Sequence, residues 1–434
     1  MGARVASAVA AAVAALMLTM PAARAQSQAQ AQAQAQAQDA GTPVSRPAQA
    51  PVLRIVLMRH GVRSPTKSPE ALAPFATEPW ARWPVAPGQL TPHGIAAMKA
   101  LGGWWRTELG LDRPAARCPA SAGVGAPLLV ISDSTPRNHA SARALMEGLL
   151  PGCPEVGHFG LPAGQHDPLF QGSAGSDEEV SPDAVKRRDR IPKDGLDELQ
   201  AVLIGGAGEA DRQAARASGH QLLVDQADPR KPMGTLAENL MLEYVEGLPA
   251  PAWGRLDESG IGRIVELHNA AFAQQWKDDP VAARRRASDL LARISAALRA
   301  GNARPLAGDA QAAGAGTVFL VGHDTNLAAV AGLLGLDWHD PARPDDYPPG
   351  GALVFDLVAG AARAEVRLGI AMPTLSALRR GRFDAPGDMA VKPVAVPGCG
   401  GASGCPLGRF ADLVDQVIDT AAVPAAEPVR PFVR

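Results

Sequence analysis

Three stretches of the chain share one pattern: an unbroken apolar run, a polar turn, then a segment whose apolar residues recur every three or four positions. The first run is VLRIVLM at 52–58. A short continuous run bounded by polar residues fits a strand buried on both faces. The helix that follows further on starts with Thr91 as N-cap and Pro92 at its first position, and Ile95, Met98, Leu101 and Trp105 fall at helical spacing. The second run, APLLVIS at 126–132, leads into a helix begun by Thr135 and Pro136 with Arg137 in its first turn. The third, TVFLVG at 317–322, ends at His323 and Asp324, and the helix TNLAAVAGLL after it is closed by Gly335. Strands alternating with helices predict an α/β fold, a mainly parallel sheet flanked by helices.

Residues 178–277 break this pattern. They carry charged helix-forming segments such as LDELQAVL and LAENLMLEYVEGL and no strand-like run. An inserted α-helical domain is expected there, between two parts of one α/β domain at 51–177 and 278–434, with the active cleft between them.

Composition narrows the function. The chain has 434 residues, 46% of them hydrophobic, which suits one large or two moderate globular domains. A formal net charge of −2 without a long basic run excludes nucleic acid as a partner, so any anion site must be local. Residues 1–25 read as a signal peptide, with Arg4, the apolar stretch VASAVAAAVAALMLTM and an Ala23-Arg24-Ala25 cleavage site. They predict export to the periplasm, or secretion, with no membrane contact after cleavage. Residues 26–50 open with a Gln/Ala repeat that offers no core-forming side chains, and form a disordered linker. In an oxidising compartment the four cysteines read as two disulfides, Cys118 with Cys153 and Cys399 with Cys405, each pair close in sequence. Three pairings are possible, free buried thiols are the alternative, and the spacing does not fit zinc.

All three polar turns fall at the carboxyl ends of their strands, where α/β folds bind ligands and helix N-termini present free N–H groups. Together they supply Arg59, His60, Arg63, Arg137, His323 and Asp324. So many arginines around a histidine are costly as a core device but match the oxygens of a phosphate. A histidine held neutral by cations can attack phosphorus, and an aspartic acid can protonate the departing alkoxide and then activate water, without metal or cofactor. For Asp324 a helix N-cap is the structural alternative. No P-loop, H-E-x-x-H or G-x-S-x-G motif is present. Trp80, Trp83, Trp104 and Trp105 are assigned to the core, and His93, His158, His166, His220, His268 and His339 to structural or surface positions.

RHGVRSPT together with GHDTN resembles the histidine acid phosphatases, whose R-H-G-x-R-x-P and distal H-D motifs form one active site. PWARWPVAPGQLTPHG (79–94), DPLF (167–170), PAPAWGRL (249–256), LHNAAF (267–272) and DYPPGGALVF (346–355) are similar to the bacterial periplasmic phytase branch. The resemblance implies a phosphoglycerate-mutase-like fold and hydrolysis of phosphomonoesters through a phosphohistidine. By it, His60 matches the nucleophile and Asp324 the proton donor. Arg59, Arg63, Arg137 and His323 match the phosphate-binding set, and Thr66, Lys67, Glu238, Arg286 and Thr325 match positions that contact substrate. Both cysteine pairs match family pairs, two of the four usual in that branch. The DSTPRNH segment departs from the phytase wording, with His139 where a second arginine is usual. A monomer acting on small phosphate esters is expected, phytate first and glucose 1-phosphate or a broad range as alternatives. A non-catalytic phosphate-ester binder on this scaffold would need the arginines but neither nucleophile nor acid.

Overall fold

In the computed structural model the three apolar runs are strands, and two of the helices foreseen after them begin where Thr91 and Thr135 predict. Residues 50–111, 128–153, 158–173, 191–307, 315–360, 363–399, 404–425, 430, 431 and 433 are described. The signal peptide, all but the last residue of the linker, residues 178–190 and Cys118 lie outside them, so the Cys118–Cys153 expectation does too. Pro51–Arg434 form one compact unit.

The first part runs β1 (Leu53–Arg59), α1 (Pro92–Glu108), β2 (Leu128–Ser132), α2 (Pro136–Leu149) and β3 (His158–Gly160). Helices α3 (Lys193–Ile204), α4 (Glu209–Ala217), α5 (Arg230–Val245) and α6 (Glu258–Phe272) follow with no strand among the described residues of that stretch. A π-helical turn at Ala273–Lys277 joins α6 to α7 (Pro280–Ala300). The chain continues through β4 (Thr317–Gly322), α8 (Asp324–Leu334), β5 (Ala352–Val358), β6 (Glu365–Pro373), β7 (Met389–Val394), β8 (Cys405–Pro406) and α9 (Leu407–Val417).

The sheet order is β3-β2-β4-β1-β5-β6-β7, with β8 beside β6. It is mixed: β3, β2, β4 and β1 are parallel, whereas β5, β6 and β7 continue from β1 as an antiparallel meander. The parallel strands are apolar almost throughout because helices cover both faces. Val56, Met58, Val130 and Val321 face a core shared with α1, α2, α3, α5 and α6, and Ile55, Leu57, Ile131 and Leu320 face one under α7, α8 and α9. Each such side chain contributes roughly 1.5–3 kcal/mol of burial. Trp80 and Trp105 belong to the first core, while Trp83 and Trp104 are half-buried against it.

Register then positions the chemistry. Arg59 lies opposite Gly322 and Ser132 opposite Val321, so the polar turns after β1, β2 and β4 are neighbours at one edge. Asp324 is not the N-cap of α8: His323 takes that place, and the Asn326 side chain accepts the His323 N–H at 2.8 Å. The Asp324 carboxylate is thereby released from capping. Cys399 and Cys405 form a disulfide. No helix among the described residues is long and apolar enough to cross a membrane.

Candidate active site

The turn after β1 is pinned before it is functional. His60 N–H donates to Gly322 O at 2.9 Å, and Gly61 N–H donates to Ser141 Oγ at 3.0 Å. A side chain at Gly61 would bring its Cβ to 2.5 Å from Met98 Cγ and 3.2 Å from Gly94 O, so only glycine lets α1 pack this close. His60 Nδ1 lies 2.8 Å from the Gly61 carbonyl. A carbonyl only accepts, so Nδ1 carries the proton and Nε2 keeps a lone pair. Burial, then Arg137, Arg59, His323 and Arg63, hold the imidazole well below its ordinary pKa. It stays neutral in mild acid.

Around it stand three guanidiniums. Arg59, fully buried, donates Nη1 to Tyr347 O at 2.5 Å, and its Nη2 pairs with Glu238 and, at 2.9 Å, with Asp324 Oδ2. Arg63 Nη2 reaches both Glu238 oxygens at 2.9 and 3.0 Å. Burial alone would raise both carboxyls, but Arg63 and Arg59 hold Glu238 below the usual range, and Arg59, His268 and Arg63 hold Asp324 far below it. Asp324 is therefore ionised in the free protein. Arg137 Nη2 donates to His323 Nδ1 at 3.2 Å, and His323 Nε2 donates to Asp133 Oδ2 at 2.9 Å, which fixes the ring's tautomer. Asp133 also accepts Thr135 N–H at 3.1 Å and Gln171 Nε2 at 2.8 Å. The Nε atoms of Arg59, Arg63 and Arg137 are buried without an acceptor among the described residues.

The outer positions fall into place differently. Thr66 and Lys67 are exposed. Thr66 stands beside Arg137: a Cβ on Gly88 would lie 3.8 Å from Thr66 Cγ2 and 4.0 Å from Arg137 Nη1. Lys67 lines a cavity of about 680 Å³ with Ser64, Arg82, Trp83 and His220. Thr325, half-buried, donates its N–H to Asp324 Oδ1 at 2.8 Å. Arg286 on α7 donates to Gln171 O at 3.3 Å and lies over the Trp276 ring at 5.2 Å. Burial lowers its pKa while Asp324 and Asp133 pull it back up, which places it within their field. Gly172, at φ +69°, permits this approach, since a Cβ there would overlap the Arg285 carbonyl and come within 2.8 Å of Arg286 Cα. The His139 ring lies 5.8 Å from that of His158. Behind Gln171, Arg430 grips Asp167 through two bonds of 2.6 and 2.8 Å, both side chains fully buried. Pro431 and Val433 pair with β3 through Gly160 N–H and the His158 carbonyl.

No family model matches the chain. Phytase AppA of Escherichia coli (strain K12) is 32% identical over 335 residues, covering 70% of this chain and 75% of that protein. The chain belongs to the histidine acid phosphatase family. A glucose-1-phosphatase of Providencia rettgeri is 25% identical over 322 residues, 69% of this chain and 75% of that one. The solved structure of Hafnia alvei phytase in complex with myo-inositol hexakis sulphate matches with a TM-score of 0.74 at 27% identity, covering 87% of this chain and 100% of that chain. This histidine acid phosphatase is a phosphoric monoester hydrolase of the phytase and glucose-1-phosphatase type.

The phosphatase site also contains residues that sequence reasoning passed over. Asp133 and Gln171 hold His323 from behind. His268, assigned above to a structural or surface position, is buried on α6, and one of its ring nitrogens lies with carboxylate oxygens of Glu238 and Asp324 inside a 4.8 Å cluster. Those are atoms a metal ion could use, yet Arg59 and Arg63 already hold both carboxylates, so a cation there would face guanidiniums at short range; the local field favours an anion. A signal for His268 existed: with Ile261, Ile264, Val265 and Phe272 it falls on the inward stripe of α6, within the LHNAAF segment.

Proposed function

We propose that His60 is the nucleophile and Asp324 the proton donor of an exported phosphatase that acts on multiply phosphorylated small molecules, phytate among the better substrates. The observation that carries this reading is the environment of His60: a buried imidazole kept neutral, with Nε2 unprotonated, beside Arg59, Arg63 and Arg137. In the first step Nε2 bonds to phosphorus and the ester P–O bond breaks, its electron pair leaving on the alkoxide oxygen, which takes a proton from Asp324. In the second, water attacks phosphorus, the N–P bond breaks back to His60, and the Asp324 carboxylate takes the water's proton. The guanidiniums carry the charge on the transferring oxygens.

The ionised state of Asp324 in the free enzyme refines the acid expectation. A phosphate monoester loses its second proton near pH ~6, so in acid it arrives as a monoanion carrying one. Its remaining charge offsets the arginines that hold Asp324 down. The proton can then move to the carboxyl within the complex. Activity is expected to fall as pH rises above about 6 for this reason.

Lys67 and Arg82 line the outer cavity together with Glu70 and Glu78, and Arg286 lies within the field of Asp324 and Asp133; Lys67 and Arg286 are the cations beyond the three around His60 that support a polyanionic substrate. The two named relatives are a phytase and a glucose-1-phosphatase. The leader-like residues 1–25 support export to the periplasm. His60→Ala should remove turnover by at least about a thousand-fold while the protein still unfolds cooperatively. Rapid quench of the wild type during turnover should trap phosphate on His60; appreciable activity in folded His60→Ala would exclude the covalent route. Comparing kcat/KM on phytate, glucose 1-phosphate and p-nitrophenyl phosphate tests the substrate. Phytate no better than the simple esters would make this a general acid phosphatase, the reading that His139 near Arg137 favours.

A further inference from the structure

His268 is an anomaly in a site otherwise rich in partners. Its ring is 2% exposed, and neither nitrogen finds a hydrogen-bond partner among the described residues. A buried polar group left this way forfeits solvation without return, so a partner in another state of the site is the economical explanation. Carboxylate oxygens of Asp324 and Glu238 lie within the 4.8 Å cluster, and neither makes a hydrogen bond to the ring. The ring is braced from behind. Phe272 stacks on it at 4.2 Å, Tyr347 lies 5.6 Å from Phe272, and the Tyr347 carbonyl holds Arg59. The π-helical turn that begins directly after Phe272 sets the pitch of this brace.

Both carboxylates now depend on Arg59, with Arg63 also on Glu238. A phosphate ester entering beside His60 competes for those guanidiniums, and Asp324 then lacks a side-chain donor at the moment it must face the leaving oxygen. We propose that His268 is a positioning residue for Asp324: when phosphate draws Arg59 away, the imidazole N–H takes its place on the Asp324 carboxyl and aims the acid at the leaving group. This rests on the reading of Asp324 as proton donor. The charged groups facing Asp324 are Arg59 on β1, Arg63 after it, Arg137 on α2, His323 at the end of β4, Glu238 on α5 and Arg286 on α7; His268 itself also faces Asp345. Among the neighbouring side chains whose electrostatic influence lowers Asp324, His268 comes second only to Arg59. Its loss therefore lets Asp324 keep a proton to higher pH.

The test compares an alkyl phosphate, whose leaving group needs a proton, with p-nitrophenyl phosphate, whose leaving group does not. In His268→Phe, which keeps the packing on Phe272, kcat for the alkyl ester should fall about 30-fold and for the nitrophenyl ester less than about 3-fold, with KM little changed. The alkaline limb of the alkyl kcat profile should move to higher pH. His268→Gln keeps a donor without a charge, so it should recover most of the alkyl kcat while retaining the displaced limb. Equal losses on the two esters in His268→Phe, or an unmoved limb in either variant, would overturn the inference. Asp324→Asn in the same assay separates the two layers. If it discriminates between the esters and the His268 variants do not, His268 is packing alone; if it does not discriminate, the proton-donor reading falls and takes this inference with it.

Discussion

Glu238 and Glu243 are five positions apart on α5 and both buried, yet their surroundings move their protons in opposite directions. Burial pushes both carboxyls up. At Glu238, Arg63 and Arg59 more than reverse the push; at Glu243, which accepts one N–H from Ala252 at 2.9 Å, burial wins and the carboxyl is pushed up to about 7. The two positions on one helix thus carry different tasks. Glu238 balances the Arg59 and Arg63 guanidiniums. Glu243 holds a backbone turn in which Ala252 and Trp253 adopt φ values of +51° and +56°, a conformation costing of order 1–3 kcal/mol per residue. That turn lays Trp253 against Trp80, ring centres 5.0 Å apart. Burial of an acid is therefore not the mark of a site here; the concentration of guanidiniums is.

The sharpest way to break this contrast is Arg59→Met. Removing the shared cation leaves Asp324 and Glu238 as buried carboxylates with too little positive charge, and stability should fall by about 3–5 kcal/mol by urea unfolding. Activity should fall with it. A cost below about 1 kcal/mol would mean that the arginines do not govern the acids.

Glu243→Gln probes the other carboxyl. A carboxyl whose folded pKa lies above its unfolded value adds stability that is complete below about 4.5 and is lost as pH rises toward about 7. The wild type should therefore lose about 2–3 kcal/mol relative to Glu243→Gln between pH ~4.5 and pH ~8, read from unfolding curves at both. Parallel pH dependence in the two proteins would place that carboxyl's pKa near normal.

The smallest effect is expected from Glu238→Gln. With one counter-charge removed, inorganic phosphate should inhibit about five-fold more tightly, as for a screened interaction of about 1 kcal/mol. Unchanged or weaker inhibition would assign Glu238 to holding the arginines in place rather than to opposing the ligand.

The parts of the molecule legible in the sequence are those whose physics is local. Buried parallel strands announce themselves as unbroken apolar runs, and Thr-Pro pairs fix the starts of α1 and α2. Arg59, His60 and Arg63 lie within one turn, and His323 and Asp324 are adjacent, so each cluster could be read alone and joined by topology. Glu238 and Arg286 came from resemblance only; the structure sets Glu238 between Arg59 and Arg63 and Arg286 against Gln171. Asp133 and Gln171 could not be found this way, because a lone acid or amide on a turn or short helix acquires its meaning from neighbours distant in sequence; His268 showed only its place on the inward stripe of α6, which fits a core position equally well. The antiparallel half of the sheet escaped for a related reason. Its strand β5 is nearly as apolar as the parallel ones, and direction is set by the connection rather than by the residues; only the first half of β6, where Glu365 and Arg367 alternate with buried Val366 and Leu368, carries an antiparallel-like pattern.

The grip of Arg430 on Asp167 spans 263 positions. Asp167 caps the short helix that ends in Gln171, the residue that steadies Asp133 behind His323. During synthesis the ribosome releases Asp167 long before its partner exists, and closing a loop of that size is slow compared with forming local helices. A chain in which Arg430 has not yet met Asp167 can hold its strands and its R-H-G turn while the support behind His323 is still incomplete.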